Sequence, residues 1–354
     1  MKKRIIGLDI LRDIGVVFIF FYHFFIEYIV TGQGTDGAMY GYNYFFNILA
    51  RPASIFLFLI SGYALMYNHE DDLPIGKYYL RRFKGLFIPF YIAYTIMFIV
   101  CYIVNGQIPG VGIARRFFIF TITGTDGVAQ MIYPTFYLIG EWFMSCIVVC
   151  YLLFPLLSWL HKRFRIVTFV VLVAWYVFLL LIHNPFSFTQ LMNPLLIIVY
   201  FYIGMDLQTS FADREFSKSI RLVAALFSIL IFVYFYVIGY IPSCAFLKLT
   251  QEATELIYFA WSIGLFVALR DINLKEEGLF YKAVTYLSGI SWFIILMHHR
   301  IMILFYSHID ANSLSHGRIL LLLLACIVLT WLASEMVRIL SNKLKSLLFN
   351  RKKQ

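Results

Sequence analysis

Ten apolar runs of roughly twenty residues, separated by short polar segments, constrain this chain more than any other feature. A helix rises about 1.5 Å per residue, so a run of about twenty crosses the ~30 Å hydrocarbon core of a bilayer. The runs fall at 13–31, 45–67, 85–104, 134–156, 166–183, 189–207, 221–240, 254–270, 285–307 and 318–340. They predict an all-α, polytopic membrane helix bundle of about ten transmembrane helices. Composition agrees: 62% of residues are hydrophobic and 14% charged, against about 25% charged in a soluble domain. With no long polar stretch and no Pro/Gly/Ser-rich linker, residues 1–342 read as one membrane domain and 343–354 as a basic tail. The opening Met-Lys-Lys-Arg imitates a signal peptide. The run behind it continues to about Val30 without a small-residue cleavage site, so it reads as a retained first span.

The placement of lysine and arginine sets the expected orientation. Counted on alternate sides of the ten runs, twenty-two fall on the side of the N-terminus and four (Arg115, Arg116, Lys248, Arg318) on the other. The remaining three, Arg12, Arg51 and Arg300, lie at or within span edges. By the positive-inside rule both termini are cytoplasmic. The net charge of +10 is thus spent on topology, and no basic stripe interleaved with aromatics points to nucleic acid. The five cysteines include no Cys-x-x-Cys pair, so neither a disulfide framework nor a metal site is expected. One segment, 115–134, is too short and glycine-broken to span and reads as a re-entrant or interfacial element on the outer side.

Ionisable groups inside spans are costly, by about 2.5–3.5 kcal/mol on insertion scales, and are therefore functional candidates. In "LDILRDIGVVFIFFYHFF", Arg12 and His23 stand eleven residues apart. On a helix both project from one face, about 16 Å apart along the axis. His23 reads either as an interhelical hydrogen-bonding residue or as a general base that titrates near neutral pH. Glu27, one turn on, would orient that ring or sit at the outer interface. Arg12 either snorkels to the inner surface or pairs with Asp9 at i−3. Ser61 and Gly62 lie in the second span, where small residues usually serve helix packing. Arg51, near that span's outer end, reads either as an interface residue or as one that touches a polar acceptor. Arg81, Arg82 and Lys84 form a basic cluster at the mouth of the third span, suited to topology or to phosphate. Glu141 and Trp142 open the fourth span; an aromatic belt explains only the tryptophan. His298, His299 and Arg300 lie deep in the ninth span, where consecutive positions diverge, so one histidine is expected to face inward. "GQGTDG" (32–37) matches G-x-G-x-x-G but follows a membrane helix and opens no βαβ unit, so it is no dinucleotide site.

Taken together these segments resemble the membrane acyltransferase-3 family, bacterial proteins that O-acylate cell-surface carbohydrates. Asp9, Arg12 and His23 match its Asp-x-x-Arg-x10-His signature. "SIFLFLISGYAL" resembles its phenylalanine-rich Ser-Gly-Phe/Tyr segment, "RRFKGLFIPFY" its basic cluster before a proline, and "SGISWFIILMHH" its late Ser-aromatic-to-His segment. The resemblance runs over essentially the whole chain in order. Two departures stand out: Glu141 precedes Trp142, where many members carry a glutamate after the Trp-Phe, and Lys84 offers a substitute for one arginine of the basic pair. The esterase-like domain that some relatives append is not expected.

The resemblance implies an acyl-CoA donor, commonly acetyl-CoA, entering from the cytoplasm, a carbohydrate acceptor, and a multi-pass place in the bacterial plasma membrane. It implies no permanently bound cofactor and no metal. Arg12, Arg81, Arg82 and Lys84 would hold coenzyme phosphates, with Ser61 and Gly62 beside the donor. His23 would take the acceptor proton, while His298 or Ser61 supports the oxyanion; an acyl-histidine intermediate is the alternative. Asp9, Glu141, Trp142, His298 and His299 complete the candidate site. The competing class is a polytopic transporter of a glycan precursor or small anion, against which stands the lack of a clear internal repeat.

Overall fold

The computed structural model describes residues 4–30, 32, 34, 36–69, 74–181, 192–212 and 214–349, with the side chains at 141, 242, 243 and 245 outside the description. Eleven α-helices follow in chain order: α1 Ile6–Val30, α2 Gly37–Asn68, α3 Ile75–Asn105, α4 Phe118–Thr123, α5 Asp126–Ala129, α6 Glu141–Leu181, α7 Pro194–Phe211, α8 Lys218–Tyr240, α9 Gln251–Leu269, α10 Leu279–Tyr306 and α11 His316–Phe349. Among the described residues nine of them are long and apolar enough to cross a membrane. No strand occurs among the described residues, as expected where lipid offers the backbone no hydrogen-bond partner.

The difference between ten expected spans and nine helices lies in α6. At 41 residues this element would measure about 60 Å, twice a hydrocarbon core. Its backbone leaves the helical region at Phe164 (φ −138°, ψ 45°), within the basic stretch His161–Arg165. The fourth and fifth expected spans are therefore two arms of one kinked element. The residue order at other ends is chemically plain. Asn193 caps α7, accepting from the Leu195 N–H, with Pro194 at the first helical position,. Ser217 and Thr250 cap α8 and α9 in the same way, and α3 ends at Gly106 in the left-handed region (φ 66°),. Helix α11 runs through the expected boundary at residue 342 to Phe349.

The chain clusters into two compact units: Met1–Tyr22, Gly41–Asp72 and Leu153–Gly289 in the first, His23–Tyr40, Leu73–Leu152 and Ile290–Gln354 in the second. In the first, α2 and α7 cross at contact distance. A methyl group on Gly62 would overlap the Phe201 carbonyl oxygen, and one on Gly204 would overlap that of Leu59. Arg51 of α2 pairs with Glu255 of α9, whose side chain is 2% exposed. Arg270, 3% exposed, ties several chain ends together. It grips Asp271 through two nitrogens, at 2.6 and 2.9 Å, and donates to the carbonyls of Phe211 (3.0 Å) and Arg214 (2.5 Å). A guanidinium at the carbonyl end of α7 is favourably placed in the field of that helix.

In the second unit α3 packs on α11, and the hydroxyls of Tyr78 and Tyr79 donate to the carbonyls of Tyr151 and Leu152 at 2.8 and 2.9 Å. Residues 115–134 do not cross: they form a short 3-10 turn, Arg115–Phe117, followed by α4 and α5. This element rests on α6, where the Val128 N–H donates to Ser145 Oγ at 3.3 Å. Asp126 is buried there, and burial pushes its carboxyl up to about 6, with the neighbouring Thr121 hydroxyl working the other way,. In this unit α11 leaves Leu320, Leu321 and Leu332 exposed, and in the first unit α8 leaves Leu222, Val223 and Leu230 exposed. Apolar faces of this extent belong against lipid rather than water.

Candidate active site

Helix α1 is unbroken from Ile6 to Val30 and carries two polar clusters. The first surrounds Asp9, which is buried. Arg12 Nη1 donates to Asp9 Oδ1 at 3.0 Å and to Ser288 Oγ at 2.7 Å. Ser288 Oγ in turn donates to Asp9 Oδ1 at 2.6 Å. Arg4 Nε donates to the other carboxylate oxygen. One buried carboxylate thus fixes two guanidiniums and a hydroxyl of α10. Charge-assisted bonds of this kind are the strong ones, and here they hold Arg12 in place with part of its side chain open to solvent,. Asp9 and Arg12 are brought together as their i, i+3 spacing suggested. Ser288 was not singled out as a partner, although it opens the "SGISWF" stretch of α10.

The second cluster surrounds His23. Its ring centroid lies 4.1 Å from that of His299 and 5.1 Å from that of His298. Both histidines of α10 therefore meet His23, where only one was expected. Their backbone positions diverge by about 100°, but long side chains reaching to either side of one ring converge on it. Arg300 takes the third direction and donates from Nε to Cys101 Sγ at 3.4 Å. His299 Nε2 lies 2.7 Å from Glu27 Oε1, and Glu27 is buried. A carboxylate oxygen accepts, so His299 carries its proton on Nε2. His298, 1% exposed, places Nδ1 2.9 Å from the Ile294 carbonyl, which fixes its proton on Nδ1. Among the described residues, no group of three or more His, Cys, Asp or Glu side chains has a metal-ligating arrangement.

The other candidate residues make contacts of their own. Ser61 Oγ donates to the Leu57 carbonyl of its own helix at 2.8 Å, and Gly62 serves the crossing with α7. Arg82 lies over the rings of Tyr78 and Tyr151, 5.7 and 5.5 Å from their centroids. Lys84 Nζ lies 3.5 Å from the centroid of the Phe349 ring, and Arg81 is exposed. Glu141 begins α6, its side chain lying outside the described residues, and Trp142 meets Phe143 edge-on at 6.3 Å. The Arg51–Glu255 pair went unforeseen in its acceptor: nothing in the sequence marks Glu255 except its place inside an apolar run.

Among the described residues nine membrane-length helices, with three imidazoles meeting beside a buried carboxylate, define a multi-pass membrane protein. The family model described as an acyltransferase domain matches residues 5–335. The chain belongs to the acyltransferase-3 family, and its general activity is acyl transfer at a membrane. Comparison with curated proteins and with solved structures gave no match.

Proposed function

We propose that this protein is an O-acyltransferase of the bacterial plasma membrane that moves an acyl group, acetyl in the simplest case, from cytoplasmic acyl-CoA to a hydroxyl of an exported or cell-surface glycan. The observation that carries the reading is the meeting of His23 with His299 and His298, at 4.1 and 5.1 Å between ring centroids, beside Glu27. An imidazole supported by a buried carboxylate is what an alcohol acceptor requires, since the hydroxyl must lose its proton as it attacks.

In this reading His23 takes the acceptor proton while the acceptor oxygen attacks the thioester carbonyl. The tetrahedral intermediate collapses with cleavage of the carbon–sulfur bond, and the departing thiolate receives the proton from His23. The products are the ester and free coenzyme A. The negative charge of Glu27, one turn further along α1, stabilises the His23 imidazolium through His299, which touches both. His298 and Ser61 are less suited to an oxyanion than the sequence suggests, because each directs a hydrogen to a carbonyl of its own helix. His298 Nε2 is instead an acceptor, suited to orienting the incoming hydroxyl. Arg12, fixed by Asp9 and Ser288, binds donor phosphate at the N-terminal end of α1. Eleven residues of helix, about 16 Å, then separate it from the imidazole, a distance in keeping with an extended pantetheine arm.

The test is reconstitution in lipid nanodiscs with acetyl-CoA and glycan, following free thiol and acylated sugar together. His23→Ala should abolish both while the protein stays folded in the membrane. Acylation at the wild-type rate in that variant would remove His23 from the mechanism, and a lack of glycan-stimulated thiol release in wild-type protein would remove the donor.

A further inference from the structure

The first unit holds a cavity of about 300 Å³ at the N-terminal end of α1, lined among others by Arg4, Tyr63, Tyr67, Arg214, Arg270 and Asp271. That volume lies at the lower end of the range of about 300–1,000 Å³ usual for small-molecule sites. It admits one compact head group and excludes an extended coenzyme. Its chemistry has two parts. Tyr63 and Tyr67 stand with ring centroids 6.5 Å apart and planes at 25°, an aromatic wall suited to a flat base.

The charges divide into one neutralised guanidinium and two that stand at the opening. Arg270 is neutralised by Asp271 and lies on the Phe216 ring, 4.2 Å from its centroid, so it acts as a rigid wall. Arg4, with 48% of its side chain exposed, and Arg214, exposed beside Glu215, bring cations to the opening. A guanidinium presents several N–H donors in a planar fork, so one held at Nε, as Arg4 is by Asp9, still offers others to phosphate oxygens. Asp9 is also the carboxylate that holds Arg12. The cavity therefore adjoins the cluster assigned to donor phosphate, with both on the same end of α1.

We infer that this cavity seats the adenosine 3′-phosphate end of the donor, between the Tyr63–Tyr67 wall and the cations of Arg4 and Arg214. The inference rests on the acyl-CoA reading above and adds the place where the nucleotide docks. It assigns that docking to Arg4 just before α1, to Tyr63 and Tyr67 of α2 and to the segments following α7 and α9, none of which the sequence singled out, and not to the basic cluster of α3. The phosphates then lead toward Arg12, and the arm continues along α1.

The experiment measures calorimetric binding of adenosine 3′,5′-bisphosphate to the full-length protein in nanodiscs, with acetyl-CoA kinetics in parallel. Arg214→Glu and Tyr67→Leu should each weaken the probe about tenfold and raise the KM for acetyl-CoA by a similar factor with kcat retained. Arg214 is exposed, so its variant tests binding without disturbing the fold. Unchanged affinity in both variants overturns the assignment, and so does a loss confined to Arg82→Ala. Wild-type protein that turns over acetyl-CoA yet fails to bind the bisphosphate overturns the cavity alone. Wild-type protein that shows neither binding nor turnover overturns the donor reading together with it.

Discussion

His299 Nε2 and Glu27 Oε1 lie 2.7 Å apart, joining residues 272 positions distant in the chain. The pairing gives Glu27 a fixed place against His299, and in the proposed reaction it is a positioning residue for His23. Glu27→Gln keeps the shape and removes the charge. Turnover should fall about a hundredfold, within the usual range for acid–base assistance, with the donor KM nearly unchanged. Steady-state kinetics of the nanodisc-embedded variant check this, and wild-type turnover would leave the imidazolium without the support assigned to it.

Arg12 and Ser288 share Asp9, and their variants should separate binding from chemistry. Arg12→Ala should raise the acetyl-CoA KM by about ten- to a hundredfold, as expected for a charge-assisted bond worth roughly 1.5–3 kcal/mol. Ser288→Ala should have a smaller effect in the same direction. At saturating donor both should recover most of kcat; a loss of kcat alone would place Arg12 at the reacting atoms.

Arg51 and Glu255 form a pair whose carboxylate is buried. Replacing one partner leaves a buried charge, which typically costs about 3–5 kcal/mol. Arg51→Met alone should therefore lower the thermal midpoint sharply, while Arg51→Met with Glu255→Leu should recover much of it. A double variant as unstable as the single one would show that the pair is held for more than mutual neutralisation.

Asp126 predicts a pH dependence of stability. Its carboxyl is raised from 3.8 to about 6 in the fold, so the folded state binds the proton more tightly than the unfolded state does. The neutral form favours folding. The stability contributed by Asp126 is fully present below about pH 4, is lost as pH rises through 6, and amounts to about 3 kcal/mol. Thermal midpoints measured from pH 4 to 8 should show this decline in wild-type protein and a flatter curve in Asp126→Asn.

Gly62→Ala should reduce the yield of folded protein, because the added methyl meets the backbone of α7 and not a side chain that can swing aside. Overpacking of this kind costs about 1–3 kcal/mol. Fluorescence-detected size-exclusion after mild heating reports it, and Gly204→Ala should behave alike.

Much of the architecture is legible in local sequence because span length and hydropathy are local quantities. The polar residues of α1 are legible for the same reason: Asp9, Arg12 and His23 advertise themselves against an apolar background at helical spacings. Their partners do not. Ser288 and His299 reach α1 from more than 250 residues away, and no local spacing encodes which face of α10 turns toward it. The break at Phe164 was hidden by a different cause, since a basic loop between two spans and a kink within one element have the same composition. Gly62 could be read as packing or as donor contact until the opposing carbonyl of Phe201 was in view. Arg4, Tyr67 and Arg214 escaped notice because each, alone, is an ordinary residue at a helix end.

The interlock of Gly62 and Gly204 bears on how this protein can move. Two glycines facing opposing carbonyls act as paired detents: sliding α2 along α7 by one residue would drive side chains into backbone at both points. The two helices therefore travel together as one stiff strut. Any rearrangement that admits a substrate and later releases the product must bend or shift other elements, while this strut keeps the Tyr63–Tyr67 wall, carried on the same helix as Gly62, in a constant setting through every turnover.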